Sequence, residues 1–441
     1  MPKKEKVRLF LLSKDRPQLL IADHKGRIYN LPDLEATGMK GGLFFRLTKK
    51  DLVPVPPGSE LFMLPRRLPV GYQLRTKSFV AMDKCLAVAG FVSPGFTTSF
   101  NSAYSENGRV KMLPLFSYAA AAFYKGKFHL AAVRVDRERR QDLRLMDINQ
   151  VRKNAGNLKK IFDGNRLVRH LEKCALLYSC PAAKNFFLSR YEAPLPTAPI
   201  CNSRCLGCLS YQPKKRCSVT QPRIKFVPRP GEIAEVALFH IEHAADPVVS
   251  FGQGCEGEPL LVGAVLEQAI KLIRKKTSKG IINLNTNASR PKELNRLFAA
   301  GLDSIRVSLN SVREEFYLRY YLPRGYTFKD VLKSIRVAKK SRGFVSVNYL
   351  TMPGFTDLQE EFICFKNFIE NYRIDMIQWR SLNFDPLQYF RLLRVPVEGL
   401  KLLGVREVIA AVKQEFPQVI RGYFNPSRLR IKRNSTVKNE K

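Results

Sequence analysis

A strand, a loop and a helix repeat six times between residue 191 and residue 390 of this chain. Short apolar runs predict the strands, and apolar residues at helical spacing predict the helices between them. The predicted strands are residues 191–200, 247–252, 280–287, 303–310, 344–350 and 376–383. The predicted helices are residues 231–245, 261–276, 291–301, 328–340 and 357–372. Such a series predicts a parallel sheet, either doubly wound or curled toward a barrel.

The faces of these strands favour the barrel. Strands covered on both sides are apolar on both faces, whereas here polar and apolar residues alternate. The polar positions are Asn283, Asn285, Asn287, Arg306, Ser308, Asn310, Ser346, Asn348, Gln378 and Arg380. With a period of two, they share one interior face, and buried amides and guanidiniums need partners there. We therefore predict an α/β fold with a partial (βα)6 TIM-like barrel, whose polar lumen is the active site at the carboxyl ends of the strands.

Three further segments flank the barrel. Residues 1–135 hold short β-type runs, among them 6–13, and predict a β-rich N-terminal accessory domain. Within this segment residues 52–65 are too rich in proline for a central strand, and Asn107-Gly108 predicts a hairpin-type turn. The domain prediction is completed by a helical connector at 136–190, the core at 191–390, and a C-terminal extension with a basic tail at 391–441.

The formal net charge of +37 invites two explanations. Residues 1–200 carry +19 and residues 201–441 carry +18, so the excess is spread along the chain. One explanation is solvated surfaces, such as the lysine-rich surface of a thermophile. The other is contact with nucleic acid or another acidic partner.

Hydrophobic patterning predicts a cytoplasmic protein. No run of eighteen apolar residues occurs, so no membrane segment is predicted, and the first fifteen residues mix charge too early for a signal peptide. Thiols stay reduced in the cytoplasm, so clustered cysteines indicate metal binding or chemistry rather than disulfides. Cys174 and Cys180, six residues apart, do not share a helix face, and we interpret them as small buried residues rather than ligands.

Three of the nine cysteines, Cys201, Cys205 and Cys208, crowd into a loop directly after the first predicted strand. A structural zinc site usually has four protein ligands, and here Cys217 is nine residues away while His240 and His243 fall in a helix. Three thiolates can instead hold three irons of a [4Fe–4S] cluster and leave the fourth iron open.

Together, the cysteine spacing C-x3-C-x2-C and the later segments resemble the radical S-adenosylmethionine (radical SAM) superfamily. "CEGEPLL" is similar to the family's glycine–glutamate motif, which implies that Glu258 binds the methionine amino group. "NLNTNAS", "VSLNS" and "NYLTMPGFTD" resemble the segments that approach the ribose, carboxylate and adenine. The resemblance covers about residues 191–390 and implies one [4Fe–4S] cluster and S-adenosylmethionine as cofactors. The cofactor-binding candidates are Glu258, Asn285, Asn287, Arg306, Ser308, Asn310 and Asn348, and the metal ligands are Cys201, Cys205 and Cys208.

Several positions depart from the family pattern or extend it. The family usually has an aromatic residue just before the third cysteine, and this chain has Gly207. Cys255 is either a small core residue or a thiol that faces the cavity and donates hydrogen or binds substrate. Arg306 and Arg380 are candidates for binding a carboxylate or phosphate, with the cofactor's own carboxylate as the alternative for Arg306. We therefore name Cys255 and Arg380 as catalytic candidates.

The implied reaction is reductive cleavage of S-adenosylmethionine to a 5′-deoxyadenosyl radical, which abstracts hydrogen from a substrate. A small molecule or peptide is the first choice of substrate, and RNA or a protein is the alternative. Because residues 391–441 contain no cysteine, a single cluster is expected. A ferredoxin or flavodoxin is the expected one-electron donor. A non-catalytic iron–sulfur or zinc module that binds nucleic acid is the remote alternative.

Overall fold

The computed structural model describes residues 15–213, 217–396, 399 and 401–432. The predicted strand at 6–13 and the end of the basic tail lie outside these residues. By compactness the described chain falls into two units. The first comprises the described residues up to Arg137, with Leu350–Ile363 and Trp379–Val412, and the second comprises Glu138–Tyr349, Cys364–Gln378 and the described residues from Lys413 onward. The four segments predicted from the sequence stay a prediction.

The described residues up to Arg137 form an antiparallel sheet, as expected from their β-type runs. Its strands are β1 Gln18–Ala22, β2 Ile28–Glu35, β3 Thr37–Lys40, β4 Leu43–Arg46, β5 Leu52–Pro54, β6 Glu60–Leu64, β7 Arg67–Gln73, β8 Ser78–Ala81, β9 Leu86–Phe91, β10 Phe96–Thr98, β11 Asn101–Ser102, β12 Tyr104–Glu106, β13 Ala119–Tyr124 and β14 Lys127–Arg134. One core cluster is built from β1, β9, β13 and β14, where buried alanines alternate with leucine and valine.

Of two local expectations for this sheet, the one about the proline-rich stretch agrees with the structure and the one about the hairpin does not. The proline-rich stretch does supply strands, but β5 pairs with β14 and β6 pairs with β9, which keeps both off the main path of the sheet. The prediction of a hairpin at Asn107-Gly108 is wrong, because β12 pairs with β7 and the next strand begins only at Ala119. The hairpin lies at Lys125-Gly126, where both residues have positive φ and join β13 to β14, as a type I′ turn requires.

The connector is helical, as predicted. Its helices are α1 Ile148–Ile161, α2 Arg166–Leu176 and α3 Pro181–Phe187. Asp147 and Asn165 cap the first two by accepting hydrogen bonds from backbone amides of the first turn.

The second sheet confirms the partial TIM-like barrel. Its strands follow one another in chain order, which is the arrangement of a curling parallel sheet. They are β15 Glu192–Pro194, β16 Val248–Phe251, β17 Ile281–Thr286, β18 Ser304–Leu309, β19 Phe344–Thr351, β20 Met376–Ser381 and β21 Ile420–Gly422. The helices are α4 Pro230–His243, α5 Gly263–Lys276, α6 Pro291–Ala300, α7 Glu314–Tyr321, α8 Phe328–Lys340, α9 Gln359–Tyr372, α10 Pro386–Leu393 and α11 Val405–Glu415.

The six predicted strands are all present, and a seventh, β21, extends the sheet beyond them. β21 lies in the segment that the sequence suggests is a C-terminal extension, and it pairs in parallel with β20. Three residues are too few to show a period of two, which is why the sequence does not reveal this strand. None of the helices within the described ranges has the length and apolar character needed to cross a membrane.

Several side chains of the polar strand faces form hydrogen bonds with one another. Asn283 donates to Ser250 Oγ at 3.2 Å and to Asn285 Oδ1 at 2.9 Å, and it accepts from Ser304 at 2.8 Å. Asn425, just beyond β21, donates to Asn285 Oδ1 at 3.1 Å and accepts from Gln378 at 3.0 Å. These side chains are buried, so the expectation that buried amides find partners holds.

Candidate active site

The cysteine loop directly follows β15, at the carboxyl edge of the parallel sheet. Cys201, Cys205 and Cys208 are half-buried, and the Cys208 amide donates to the Cys205 carbonyl at 3.2 Å. In a cubane cluster each cysteine of such a loop binds a different iron.

A tyrosine-rich segment that the sequence analysis missed holds this loop. The Tyr326 hydroxyl lies 2.7 Å from Ser203 Oγ and 3.1 Å from the Tyr317 hydroxyl. The amides of Arg204 and Leu206 donate to the carbonyls of the end of α7, each at 3.0 Å. The run "YLRYYLPRGY" at 317–326 was the available signal, since so many tyrosines in ten residues need buried partners.

Burial affects the loop thiols directly. It raises the pKa of Cys201 to about 11, and it raises the pKa of Cys205 well above its usual value. The positive charge of Arg223 opposes the rise in the pKa of both thiols. Its guanidinium donates to Cys208 Sγ at 3.4 Å and to Ser210 Oγ at 3.0 Å. The same guanidinium lies 5.1 Å from the ring of Tyr211. A cation beside a thiolate ligand stabilises the bound, deprotonated form.

The segment that carries Glu258 runs alongside the cysteine loop. The Gly257 amide donates to the Ala198 carbonyl at 2.6 Å, and the Glu258 amide donates to the Ile200 carbonyl at 2.9 Å. A Cβ on Gly257 would lie 1.8 Å from the Ile200 carbonyl oxygen, so only glycine allows this approach. The motif glycine therefore sets how close Glu258 lies to the first cysteine.

The Glu258 carboxyl is buried and oriented by three donors. Oε1 accepts from Thr286 Oγ1 at 2.5 Å and from the Leu260 amide at 3.1 Å, and Oε2 accepts from the Asn287 amide at 2.8 Å. Burial raises the pKa of Glu258 to about 7, against the effect of these hydrogen bonds. A bound molecule that donates a hydrogen bond to Oε2 would find a lone pair available there.

Glu256 is a second buried carboxyl in the same motif, and the sequence analysis did not single it out. Oε2 accepts from the Thr197 and Ala198 amides at 2.8 and 3.0 Å and from the Thr197 hydroxyl at 3.1 Å. Oε1 accepts from the Gly252 and Gln253 amides, each at 2.7 Å. Burial raises the pKa of Glu256, and these hydrogen bonds oppose the rise. Glu256 thus links residues 197–198, which precede the cysteine loop, to the turn after β16.

Asn287 and Asn285 have different surroundings, although both were predicted to bind the cofactor. Asn287 donates to Asn202 Oδ1 at 2.9 Å and to Ser203 Oγ at 3.0 Å, which links the end of β17 to the cysteine loop. Asn285 donates to the Phe251 carbonyl at 2.8 Å and belongs to the interior amide network. Its cofactor-binding role stays a prediction, and its amide is already engaged within the sheet.

The remaining predicted residues lie on β18 to β20 and just beyond. Asn348 donates to Ser308 Oγ at 3.4 Å, and Arg306 donates to Gln378 Oε1 at 3.4 Å. Asn310 is buried and donates to the Phe316 carbonyl at 3.2 Å. Arg380 lies near the end of β20, half-buried. The roles of these residues stay predictions.

Cys255 is a buried residue, in line with the first of its two interpretations. Its thiol lies against Cys174, and that hydrogen bond together with burial raises the pKa of Cys255. The partners of Cys174 are thus Cys255 and His170, whose Nε2 lies 3.5 Å from Cys174 Sγ. Cys174 is buried, and its polar partners lie one helical turn earlier and on another element. The catalytic role of Cys255 stays a prediction.

Comparison with known proteins matches the middle part of the chain to a family. Residues 195–365 match the model of the radical SAM superfamily. Mitochondrial GTP 3′,8-cyclase of Arabidopsis thaliana is 26% identical over 233 residues, which is 52% of this chain and 53% of that protein. The chain therefore spans about half the length of this curated relative.

The solved structures that resemble this chain do so at low identity and low TM-score. The FeFe-hydrogenase maturase HydG from Carboxydothermus hydrogenoformans is 15% identical with a TM-score of 0.36, over 62% of this chain and 67% of that chain. Streptococcus suis SuiB bound to S-adenosylmethionine is 13% identical with a TM-score of 0.36, over 60% of this chain and 59% of that chain. The chain thus contains a radical SAM domain at residues 195–365, and enzymes of that superfamily use a [4Fe–4S] cluster and S-adenosylmethionine.

Proposed function

We propose that the chain is a single-cluster radical SAM enzyme that abstracts hydrogen from a small molecule or peptide. One observation carries the proposal: the cysteine loop, the Gly257–Glu258 segment and Asn287 are hydrogen-bonded into one unit at the carboxyl edge of the sheet. When bound, the cluster supplies the electron that cleaves S-adenosylmethionine to methionine and a 5′-deoxyadenosyl radical. The chain's own residues position this chemistry and exclude water from it.

Glu258 has the position and hydrogen bonding to orient the cofactor. Its Oε1 already accepts two hydrogen bonds, while Oε2 accepts one and can receive the ammonium group of S-adenosylmethionine. Because Thr286 and two backbone amides hold the carboxyl in place, little side-chain entropy is lost when the ammonium binds. Cys201, Cys205 and Cys208 would bind three irons of the cluster and leave the fourth iron open.

The polar interior supports a substrate with an anionic group. Ser346 Oγ and Asn348 Oδ1 are buried and accept no hydrogen bond within the described residues, so they offer sites to a ligand. Arg306, which pairs with Ser346 across the sheet, supplies a guanidinium for a carboxylate or phosphate. The relative from Arabidopsis thaliana takes its name from GTP, which is such an anion.

The test is formation of 5′-deoxyadenosine by full-length protein reconstituted anaerobically and supplied with dithionite and S-adenosylmethionine. We expect turnover in the wild type and background levels in Cys201→Ala, which lacks one cluster ligand. Cys364→Ala, a half-buried cysteine on α9, is the matched control and should keep wild-type turnover. Equal product from wild type and Cys201→Ala would contradict the proposal.

RNA or a protein is the second candidate substrate, supported by the net charge of +37. We expect a salt-sensitive affinity for bulk RNA if this candidate is correct, with a steep fall in binding between low and physiological salt. Absence of such binding in a filter assay would leave the small-molecule substrate.

For the electron donor we propose a ferredoxin or flavodoxin.

A further inference from the structure

A group of metal-ligand side chains lies outside the cysteine loop. One ligand atom from each of His170, Cys174 and Cys255 falls within 4.8 Å of the other two. Cys174 is 2% exposed and Cys255 is 4% exposed, so water has little access to the thiols. Neither the cluster nor the cofactor chemistry proposed above uses these residues.

Secondary structure and packing bring the three residues together. His170 and Cys174 are four residues apart on α2, which places them on one helix face. Cys255 follows the turn after β16, where the Ile224 amide donates to its carbonyl at 2.8 Å. The ring of Phe226 packs edge-on against His170, with centroids 6.3 Å apart. The two thiols are therefore buried, and the imidazole of His170 is half-buried beside them.

The spacing of the atoms matches a single tetrahedral ion. With metal–ligand bonds of about 2.0–2.3 Å, neighbouring ligands of zinc lie roughly 3.3–3.8 Å apart. His170 Nε2 and Cys174 Sγ are 3.5 Å apart. Thiols of a cubane cluster would be farther apart, because each binds a different iron. Two thiolates and an imidazole form a donor set that suits zinc.

We propose that His170, Cys174 and Cys255 bind one zinc ion. Zinc with three protein ligands keeps its fourth tetrahedral position for a further ligand. Binding releases the thiol protons and changes no oxidation state.

Zinc at this position would connect the helical connector to the segment that presents Glu258. Cys255 precedes Glu256 and Glu258 by one and three residues, so a fixed Cys255 also restrains both carboxyls. The ion would stabilise the fold independently of the radical reaction. The competing state of the same thiols is a Cys174–Cys255 disulfide, which forms with loss of two electrons to an oxidant.

The test is metal analysis of the full-length protein purified anaerobically and reconstituted. We expect about one zinc per chain beside about four irons. Cys174→Ser and Cys255→Ser should lose the zinc and keep the iron, whereas Cys201→Ala should lose iron and keep the zinc. Cys85→Ser, another buried thiol, is the matched control and should keep both metals. This crossed pattern separates failure of the zinc site from failure of the proposed function.

Two further measurements keep the proposal falsifiable if a serine variant unfolds. His170→Cys retains a ligand, so it should keep the zinc and the wild-type circular dichroism. Cobalt(II) exchanged into the site should show thiolate charge-transfer bands that Cys174→Ser lacks. Wild-type protein with full iron but no zinc would overturn the proposal. So would a mass two hydrogens lower, which marks a disulfide, or zinc that survives Cys174→Ser.

Discussion

Replacing Gly257 with alanine is expected to abolish cluster binding, although the change adds one methyl group and removes no ligand. The new Cβ would lie 1.8 Å from the Ile200 carbonyl oxygen and 3.1 Å from the Cys201 amide nitrogen. Both contacts are with backbone, so neither atom can move aside cheaply. The hydrogen bonds from Gly257 to Ala198 and from Glu258 to Ile200 would then be lost together. We expect the iron content to fall from about four per chain to near zero.

The control for this prediction is alanine at Gly156, within α1. A Cβ there meets no atom within 4 Å, so Gly156→Ala should keep all iron. It should also raise the free energy of unfolding by about 0.5–1 kcal/mol, because alanine is the better helix former. The iron content of both variants and their free energies of unfolding, measured with denaturant, test this prediction. A Gly257→Ala protein with full iron and unchanged affinity for S-adenosylmethionine would show that the close approach is not needed.

Glutamine in place of Glu256 is expected to have the second largest effect. The Glu256 carboxyl acts only as an acceptor: it receives five hydrogen bonds, four of them from backbone amides. The amide group of glutamine would turn one acceptor into a donor that faces other donors. Leaving buried amides unpaired costs about 3 kcal/mol or more. We therefore expect a loss of this size in the free energy of unfolding, together with weaker binding of the cluster.

Glu267→Gln makes the same chemical change at the surface. Glu267 forms an exposed ion pair with Lys271 on α5, so its loss should leave stability nearly unchanged. Chemical denaturation followed by circular dichroism gives the free energy of unfolding of each variant. Equal stability of the Glu256→Gln and Glu267→Gln proteins would refute the role assigned to Glu256.

The sequence reveals the barrel because the strand signal there is local. In β17 and β18 polar and apolar residues alternate, and the structure places these strands within one or two residues of the predicted bounds. α7 was missed because its tyrosines obscure the helical pattern, and they pack on the cysteine loop rather than on one face of the sheet. β21 was missed because it has three residues.

Side-chain partners depend on tertiary structure, and the sequence reveals them less well. The cysteine spacing and the Glu258 motif are short patterns that can be recognised directly. The contact of Cys174 with Cys255 joins residues 81 positions apart, and no local pattern predicts it. Glu256 sits two residues before Glu258, but only the structure shows that its five donors come from two separate loops.

The most direct measurement is Mössbauer spectroscopy of protein reconstituted with iron-57, with and without S-adenosylmethionine, combined with iron analysis. The loop of Cys201, Cys205 and Cys208 leaves one iron without a cysteine. We therefore predict about four irons per chain, of which one changes its isomer shift when S-adenosylmethionine binds. A spectrum that S-adenosylmethionine leaves unchanged, or an iron content near twice the predicted value, would contradict a single site-differentiated cluster.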